Sequence, residues 1–255
     1  MRLFLLLVVL SGHAAAQTNT ERADVRELRR DALVNAQEIS ERGQPPVELR
    51  LTLGVAYTDA ESGERRWATP FQWRQRFNEQ RSWLKFSGDG IVSSESDEGH
   101  RSGFANLNFV LGHQLAKGLR GWAGGTLASA GEVGSEHGRF RAGASYEHAL
   151  YGPWSGQIEG QLVRFNTEPV PDESRVRRQL LGQLVYSLDT RTLVLGQLER
   201  AYRPGVNSGT AASLAYQQPV GRTSGGVVLG VATLTRGLSE GARDTTIELD
   251  ASFRF

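Results

Sequence analysis

Residues 245–255 have the sequence Thr-Thr-Ile-Glu-Leu-Asp-Ala-Ser-Phe-Arg-Phe. Successive side chains of a β-strand point to opposite faces, so this stretch has one apolar and one polar face. The apolar face carries Ile247, Leu249, Ala251, Phe253 and Phe255. Such a strand fits the half-buried edge of a soluble sheet. It equally fits the closing strand of a membrane barrel, with lipid outside and a polar lumen inside.

Composition excludes several classes of protein. The 255 residues carry a net charge of +1, which gives no argument for nucleic acid as a partner. The absence of cysteine excludes disulfide bonds, thiolate metal sites, cysteine nucleophiles and a lipoprotein anchor. A length of 255 residues allows one domain or two small ones.

Residues 1–16 have the pattern of a secretory signal peptide. Arg2 precedes an apolar run over residues 3–10, and three alanines at 14–16 form a small-residue cleavage site. The run is too short to cross a bilayer as a helix. No later segment approaches eighteen consecutive apolar residues, so we expect export without a transmembrane helix.

Residues 17–46 are predicted to form a helix and a linker. Between residues 18 and 43, apolar side chains recur at helical spacing, and Gly43 and two prolines end the pattern. The apolar positions are Val25, Leu28, Ala32, Ala36 and Ile39. A stripe this thin predicts a marginal helix unless it docks on another surface.

From residue 47 onward the apolar period is two. Twelve segments follow, most of them close to the roughly 9–11 residues that a tilted transmembrane strand needs. They are residues 47–57, 67–77, 82–92, 104–115, 119–128, 139–150, 154–165, 176–188, 191–202, 210–218, 225–235 and 245–255. An even number of strands is typical of single-chain bacterial barrels.

The connections and the aromatic residues favour a barrel over a soluble sandwich. On these boundaries every odd-numbered connection is longer than every even-numbered one, as expected for long exterior loops and short periplasmic turns. Aromatic side chains cluster near both ends of the strands, as interfacial girdles do. Those near the short turns are Phe77, Trp83, Tyr151, Trp154, Phe253 and Phe255, and those near the long loops are Tyr57, Trp67, Phe165 and Tyr202.

Over residues 47–255 the chain resembles the small twelve-stranded, porin-like barrels of bacterial outer membranes. YaiO-like barrels and transporter-like barrels are within the range of this resemblance. The resemblance implies an all-β, antiparallel transmembrane barrel with a short N-terminal helix. It also implies that the five apolar residues of 245–255 form the C-terminal signal presented to the barrel assembly machinery.

The polar faces of the strands would line the lumen. A basic arc of Arg50, Arg74, Arg76, Lys85 and Arg254 is predicted near the periplasmic rim, with Glu48, Glu248 and Asp250 as acidic partners. Such an arc attracts anionic solutes. The alternative is a lumen filled by arginine–carboxylate pairs, because small barrels are commonly packed inside. The N-terminal helix is either periplasmic, which is slightly favoured, or a plug against the arc.

Enzymatic chemistry has little support in the sequence. His113 and His148 are predicted on the apolar face near the periplasmic strand ends, and no serine is identified at matching depth. His100 and His137 lie in charged loops, where a solvated loop is favoured over a divalent cation site. No cofactor or metal motif is present. We therefore predict no catalytic residues, no cofactor and no metal.

The sequence predicts an integral outer-membrane barrel that forms a narrow passive channel for small polar solutes, including anions. Its partners would be outer-membrane lipid and lipopolysaccharide, the barrel assembly machinery and the solutes. Two alternatives remain: a non-conducting structural or assembly barrel linked to a polysaccharide or secretion system, and a lipid-modifying barrel enzyme.

Overall fold

The computed structural model describes residues 19–40, 48–59, 65–77, 81–94, 102–128, 139–165, 176–203, 206–223, 226–239 and 243–255. The predicted signal peptide and most predicted long connections lie outside these ranges. One helix and twelve strands are present in the described part of the chain. They are α1 (Asn19–Ser40), β1 (Leu49–Asp59), β2 (Arg65–Phe77), β3 (Ser82–Ser94), β4 (Ser102–Ala116), β5 (Leu119–Ala128), β6 (Arg139–Ala149), β7 (Trp154–Phe165), β8 (Val176–Ser187), β9 (Leu193–Arg203), β10 (Val206–Thr223), β11 (Gly226–Gly237) and β12 (Thr245–Arg254).

The twelve strands form a closed antiparallel barrel in which each strand pairs with its neighbours in sequence. β12 closes the barrel against β1, with Leu53 opposite Ala251 and Arg50 opposite Arg254. The backbones of Leu49 and Phe255 exchange two hydrogen bonds at the seam, of 3.2 and 3.0 Å. The prediction of a closed twelve-stranded barrel is confirmed, and closure leaves no unpaired sheet edge.

The two faces of the wall have opposite character. On β12, Ile247 and Leu249 are exposed on the outside, whereas Glu248, Asp250 and Arg254 are buried on the inside. The same pattern recurs around the barrel, and its exposed outer side chains include Leu53, Phe109, Leu111, Phe140, Ile158, Leu162, Leu180, Leu214 and Leu234. A water-soluble protein rarely exposes an apolar surface of this extent. It is the surface that a transmembrane barrel presents to lipid.

The strict sorting of connection lengths does not hold throughout. β9 and β10 extend further than the sequence predicts, so only residues 204–205 separate them, fewer than the residues 188–192 between β8 and β9. The extension is stabilised by backbone pairing, since Val206 is opposite Arg203. The other odd-numbered connections are at least as long as every even-numbered one.

The short connections have recognisable turn chemistry. Gly118, between β4 and β5, has φ of 76°, a left-handed conformation that favours glycine. Between β8 and β9, the carboxylate of Asp189 accepts hydrogen bonds from the backbone N–H groups of Arg191 and Thr192, at 2.7 and 2.8 Å. These hydrogen bonds, that of Arg191 foremost, hold the pKa of Asp189 below its ordinary value.

The predicted aromatic girdle needs one correction. Phe77, Tyr151, Trp154 and Phe255 are exposed at the short-connection end of the barrel. Trp83 is not part of the girdle, because it lies on the same face of β3 as Lys85 and is only 6% exposed. Its ring lies against Gly112 of β4, where an added Cβ would approach the ring to 2.1 Å.

The helix α1 lies inside the barrel. Between Arg26 and Ala36 its described side chains are buried or half-buried, and α1 contacts β3, β4, β7, β8 and β9. Of the two positions considered for this helix, the slightly favoured periplasmic one is therefore incorrect. No helix in the described part of the chain is both long and apolar enough to cross a membrane.

Candidate functional site

The lumen has an apolar half that receives the helix. Leu33 and Ala36 of α1 pack in one cluster with apolar side chains of β8–β11, namely Val185, Leu193, Leu195, Ala215 and Val231. Leu28 and Ala32 form a second cluster with Leu181 of β8. Fully burying one leucine is worth about 2 kcal/mol. These wall residues would face water in an empty lumen, so they fit a lumen that holds an apolar segment.

Glutamine side chains of the same half bind the helix backbone. Gln183 Nε2 donates to the carbonyl oxygen of Ala32 at 3.1 Å, and Gln197 Nε2 donates to that of Arg29 at 3.4 Å. A second hydrogen bond, from Gln197 Nε2 to Gln183 Oε1 at 2.6 Å, links the two amides. The wall thus recognises α1 through its backbone as well as its side chains.

The helix carboxylates meet basic residues on the opposite half. Glu27 accepts from Lys85 Nζ at 2.7 Å, Ser87 Oγ at 2.7 Å, Asn108 Nδ2 at 2.6 Å and Arg141 Nη2 at 2.6 Å. Asp31 pairs with Lys85 and accepts from Gln72 Nε2 at 3.1 Å. Buried carboxylates require this kind of compensation for the water they lose.

The helix arginines meet acidic residues of the wall. Arg26 donates to Asp89 at 2.9 Å, and Arg30 pairs with Glu248 and lies 3.7 Å from Asp250. Arg29 binds Glu199 of β9 through two hydrogen bonds, of 2.8 and 3.3 Å. The charges of α1 are therefore complementary to the wall on both sides.

Backbone pairing places four of the five predicted arc residues side by side. Arg254 is opposite Arg50, Arg50 is opposite Arg74, and Arg74 is opposite Lys85. Arg76 lies on the same face as Arg74, two residues further along β2. The guanidinium of Arg74 also stacks over the ring of Trp83, 4.6 Å from its centroid.

The row of paired positions continues beyond the arc. Lys85 is opposite Val110, Val110 opposite Gly124 and Gly124 opposite Arg141. Arg141 is opposite Val163, which is opposite Arg177. Arg254 lies near the short-connection end of its strand, whereas Arg177 lies near the long-connection end of β8. We call Arg254, Arg50, Arg74, Lys85, Arg141 and Arg177 the basic row; it climbs the wall from one rim to the other.

The three predicted acidic partners lie in different surroundings. Glu248 and Asp250 are in the lumen, but they face Arg30 of α1, and Asp250 lies four residues from Arg254 along β12. Glu48 precedes β1 and is exposed, and its backbone oxygen accepts from Arg76 N at 2.8 Å.

Sequence reasoning missed several lumen residues. Arg120 donates to Asn35 of α1 at 2.5 Å and pairs with Glu147 at 3.2 Å. Trp122 points inward, because its ring lies against Gly143. Glycines at 121, 124 and 125 interrupt the apolar alternation of β5, so the sequence did not show which of its side chains face the lumen. Leu181, Leu193 and Leu195 were also missed, although doublets such as Leu180–Leu181 interrupt the alternation and were the available signal.

His113 and His148 are both exposed on the outer face, as predicted. The expectation that no serine lies at matching depth is wrong, because Ser82 is opposite His113 and its Oγ lies 2.9 Å from Nδ1. Ser82 is only 7% exposed, so a substrate has little access to its hydroxyl. His148 stacks on Tyr146, with ring centroids 6.3 Å apart.

No cluster of histidine, aspartate and glutamate that could hold a metal ion occurs in the described ranges. His100 and His137, with the acidic residues near them, lie outside those ranges. The prediction about a cation at these loops is therefore untested.

Comparison with known proteins shows which solved structures have a similar fold. The chain matches no protein-family model and no curated protein sequence. Solved structures do match. An outer membrane channel from Pseudomonas putida F1 superposes with a TM-score of 0.61 at 15% identity, covering 83% of this chain and 97% of that one.

Two further structures have the same architecture. A KdgM porin in complex with disordered oligogalacturonate has a TM-score of 0.54 at 9% identity, covering 81% of this chain and 99% of that one. The CymD monoaromatic hydrocarbon channel has a TM-score of 0.52 at 11% identity, covering 86% and 90%. At these identities the shared property is the barrel fold.

Proposed function

We propose that this protein is an integral outer-membrane channel for small polar solutes, with a preference for anions, and that α1 closes its lumen. The basic row is the observation that carries the proposal. Cations placed at successive depths give an anion a series of weak binding positions rather than one deep trap, as conduction requires.

The wall as a whole supports the same charge preference. Among described side chains that face the lumen, basic residues outnumber acidic ones. The basic ones include Arg50, Arg66, Arg74, Arg76, Lys85, Arg120, Arg139, Arg141, Arg177 and Arg254, and the acidic ones are Asp89, Glu147, Glu159, Glu199, Glu248 and Asp250. The channels among the superposed structures support a conducting barrel at the level of the fold.

The position of α1 supports a closed state rather than a permanently open pore. Arg29, Arg30, Glu27 and Asp31 each pair with the wall, and Leu33 fills its apolar half. Conduction through the centre of the barrel therefore requires α1 to move.

Planar-bilayer recordings test both parts. The sequence lacks cysteine, so Ala32→Cys with Leu181→Cys introduces one disulfide between α1 and the wall, at positions that share an apolar cluster. We expect the current through this full-length variant to fall on oxidation and to return on reduction. Absence of current in the unlocked protein and in a Leu33→Asp variant would exclude the channel and favour a structural barrel.

Ion selectivity tests the basic row with a matched control. Arg177 is 2% exposed in the lumen, whereas its neighbour Arg178 is exposed on the outer face. Arg177→Gln should shift the reversal potential in a salt gradient towards cations, and Arg178→Gln should not. Equal shifts would mean that general surface charge sets the selectivity.

A lipid-modifying enzyme is the second candidate, since Ser82 and His113 are paired on the outer face. Phospholipid hydrolysis lost on Ser82→Ala, with barrel folding retained, would establish it.

A further inference from the structure

The four groups that bind Glu27 belong to the wall, and they lie on two adjacent rows of it. Lys85 and Arg141 are members of the basic row, separated by Val110 and Gly124. Ser87 and Asn108 are opposite each other in the next row. The wall presents these four donors as one patch.

Each oxygen of the Glu27 carboxylate receives two donors. Oε1 accepts from Lys85 and Ser87, and Oε2 accepts from Asn108 and Arg141. Two cations and two neutral donors around one carboxylate form a full charge-assisted shell. Glu27 is only 5% exposed, so the shell is enclosed when α1 is in place.

The wall itself orients this patch. Thr126 Oγ1 donates to Asn108 Oδ1 at 2.9 Å, which turns the amide Nδ2 towards Glu27. Gly124 lies between Val110 and Arg141 and has no side chain, which leaves space at this position of β5. A Cβ at Gly124 would lie 2.0 Å from the carbonyl oxygen of Phe109. Preorganised donors cost less to bind a ligand than mobile ones.

We infer that Lys85, Ser87, Asn108 and Arg141 form a carboxylate-binding site of the lumen, and that Glu27 occupies it as an internal ligand. A solute that carries a carboxylate binds there by exchange with Glu27, which releases one anchor of α1. The inference rests on the proposed channel function for its biological role. The binding site itself does not depend on conduction.

Calorimetry on the full-length protein in detergent tests the site. The probe is gluconate, and the matched control is sorbitol, which has a hydroxymethyl group in place of the carboxylate. Glu27→Gln removes the competing charge with little change in shape. Because a tethered ligand competes at a millimolar-scale effective concentration, we expect gluconate to bind the variant about tenfold more tightly than the wild type.

Two further variants distinguish two causes of tighter binding: emptying of the carboxylate site, and general loosening of α1. Adding Arg141→Gln to Glu27→Gln should abolish the gain. Glu199→Gln breaks a helix–wall pair on the other side of the lumen and leaves Glu27 in place, so it should give a smaller gain. Gluconate binding to Glu27→Gln no tighter than that of sorbitol, or a gain that survives Arg141→Gln, would overturn the inference.

A labelling experiment avoids any folding defect of the Glu27 variant. Ala32 is fully buried, so maleimide labelling of Ala32→Cys in an otherwise unchanged chain reports movement of α1. Gluconate should accelerate labelling several-fold over sorbitol at equal concentration. Equal rates would contradict exchange. Because neither readout uses ionic current, loss of conductance in bilayers would disprove the channel without deciding this site.

Discussion

Arg29 of α1 and Glu199 of β9 are 170 residues apart in the sequence and are joined by two hydrogen bonds, from Nε at 2.8 Å and from Nη2 at 3.3 Å. Arg29 also donates to Thr235 of β11 at 2.7 Å. A bidentate pair of this kind fixes both the depth and the rotation of the helix in the lumen.

Removal of this pair should loosen the helix. Glu199→Ala leaves a largely buried guanidinium without its carboxylate, a loss on the order of 3–5 kcal/mol for buried pairs. We expect faster maleimide labelling of a cysteine at position 32. The control is Gln161→Ala, which breaks a hydrogen bond with Gln179 within the wall. Equal acceleration in both variants would show that the helix responds to barrel stability alone.

The apolar contacts of Leu33 with the wall make a separate contribution to helix docking. Leu33→Ala should cost about 2–5 kcal/mol of helix docking, because the cavity left among Leu193, Leu195 and Val231 cannot close fully. In bilayers, this variant should spend more time in conducting states. Leu234→Ala, at a side chain that is 51% exposed on the outer face, should leave the gating unchanged. Similar open times for both variants would show that the apolar contacts of Leu33 do not hold the channel closed.

Gly54 leaves space for a lumen carboxylate. A Cβ at this position would lie 1.9 Å from Asp250 Oδ1, so Gly54→Ala must displace the carboxylate that faces Arg30. We expect a lower unfolding temperature, measured by heat-modifiable gel migration. Gly196→Ala is the matched control, since no atom lies within 4 Å of its added Cβ. An equal fall in unfolding temperature for Gly196→Ala would mean that the loss of glycine flexibility, rather than the clash with Asp250, causes the effect.

A substitution at the seam between β1 and β12 should cause an assembly defect. Phe255 exchanges two backbone hydrogen bonds with Leu49, and its side chain lies on the outer face with Ile247 and Leu249. Phe255→Ala retains the backbone bonds but removes the terminal aromatic group, so it should slow membrane insertion more than Leu188→Ala at the same rim. Pulse-chase measurement of the heat-modifiable form provides the rate. Equal rates would argue against a terminal recognition signal.

The alternation of residues 245–255 was sufficient to predict the inward and outward faces of β12, and similar patterns predicted eleven more strands. Where the alternation failed, prediction failed too. The glycines of β5 hid Arg120 and Trp122, and β9 and β10 extended past the predicted loop because their backbones continue to pair.

Local sequence therefore determined the number of strands, their antiparallel closure, and which face of each strand is polar. These properties follow from a period of two along each strand. Only the tertiary structure decided what fills the lumen. The apolar stripe of α1 did not identify its partners, because the helix packs with Val185, Leu195, Ala215 and Val231 only after four separate strands have closed around it. Four members of the basic row were predicted as an arc, but its continuation to Arg141 was hidden, because the register between strands, and not the order along the chain, aligns Lys85 with Arg141.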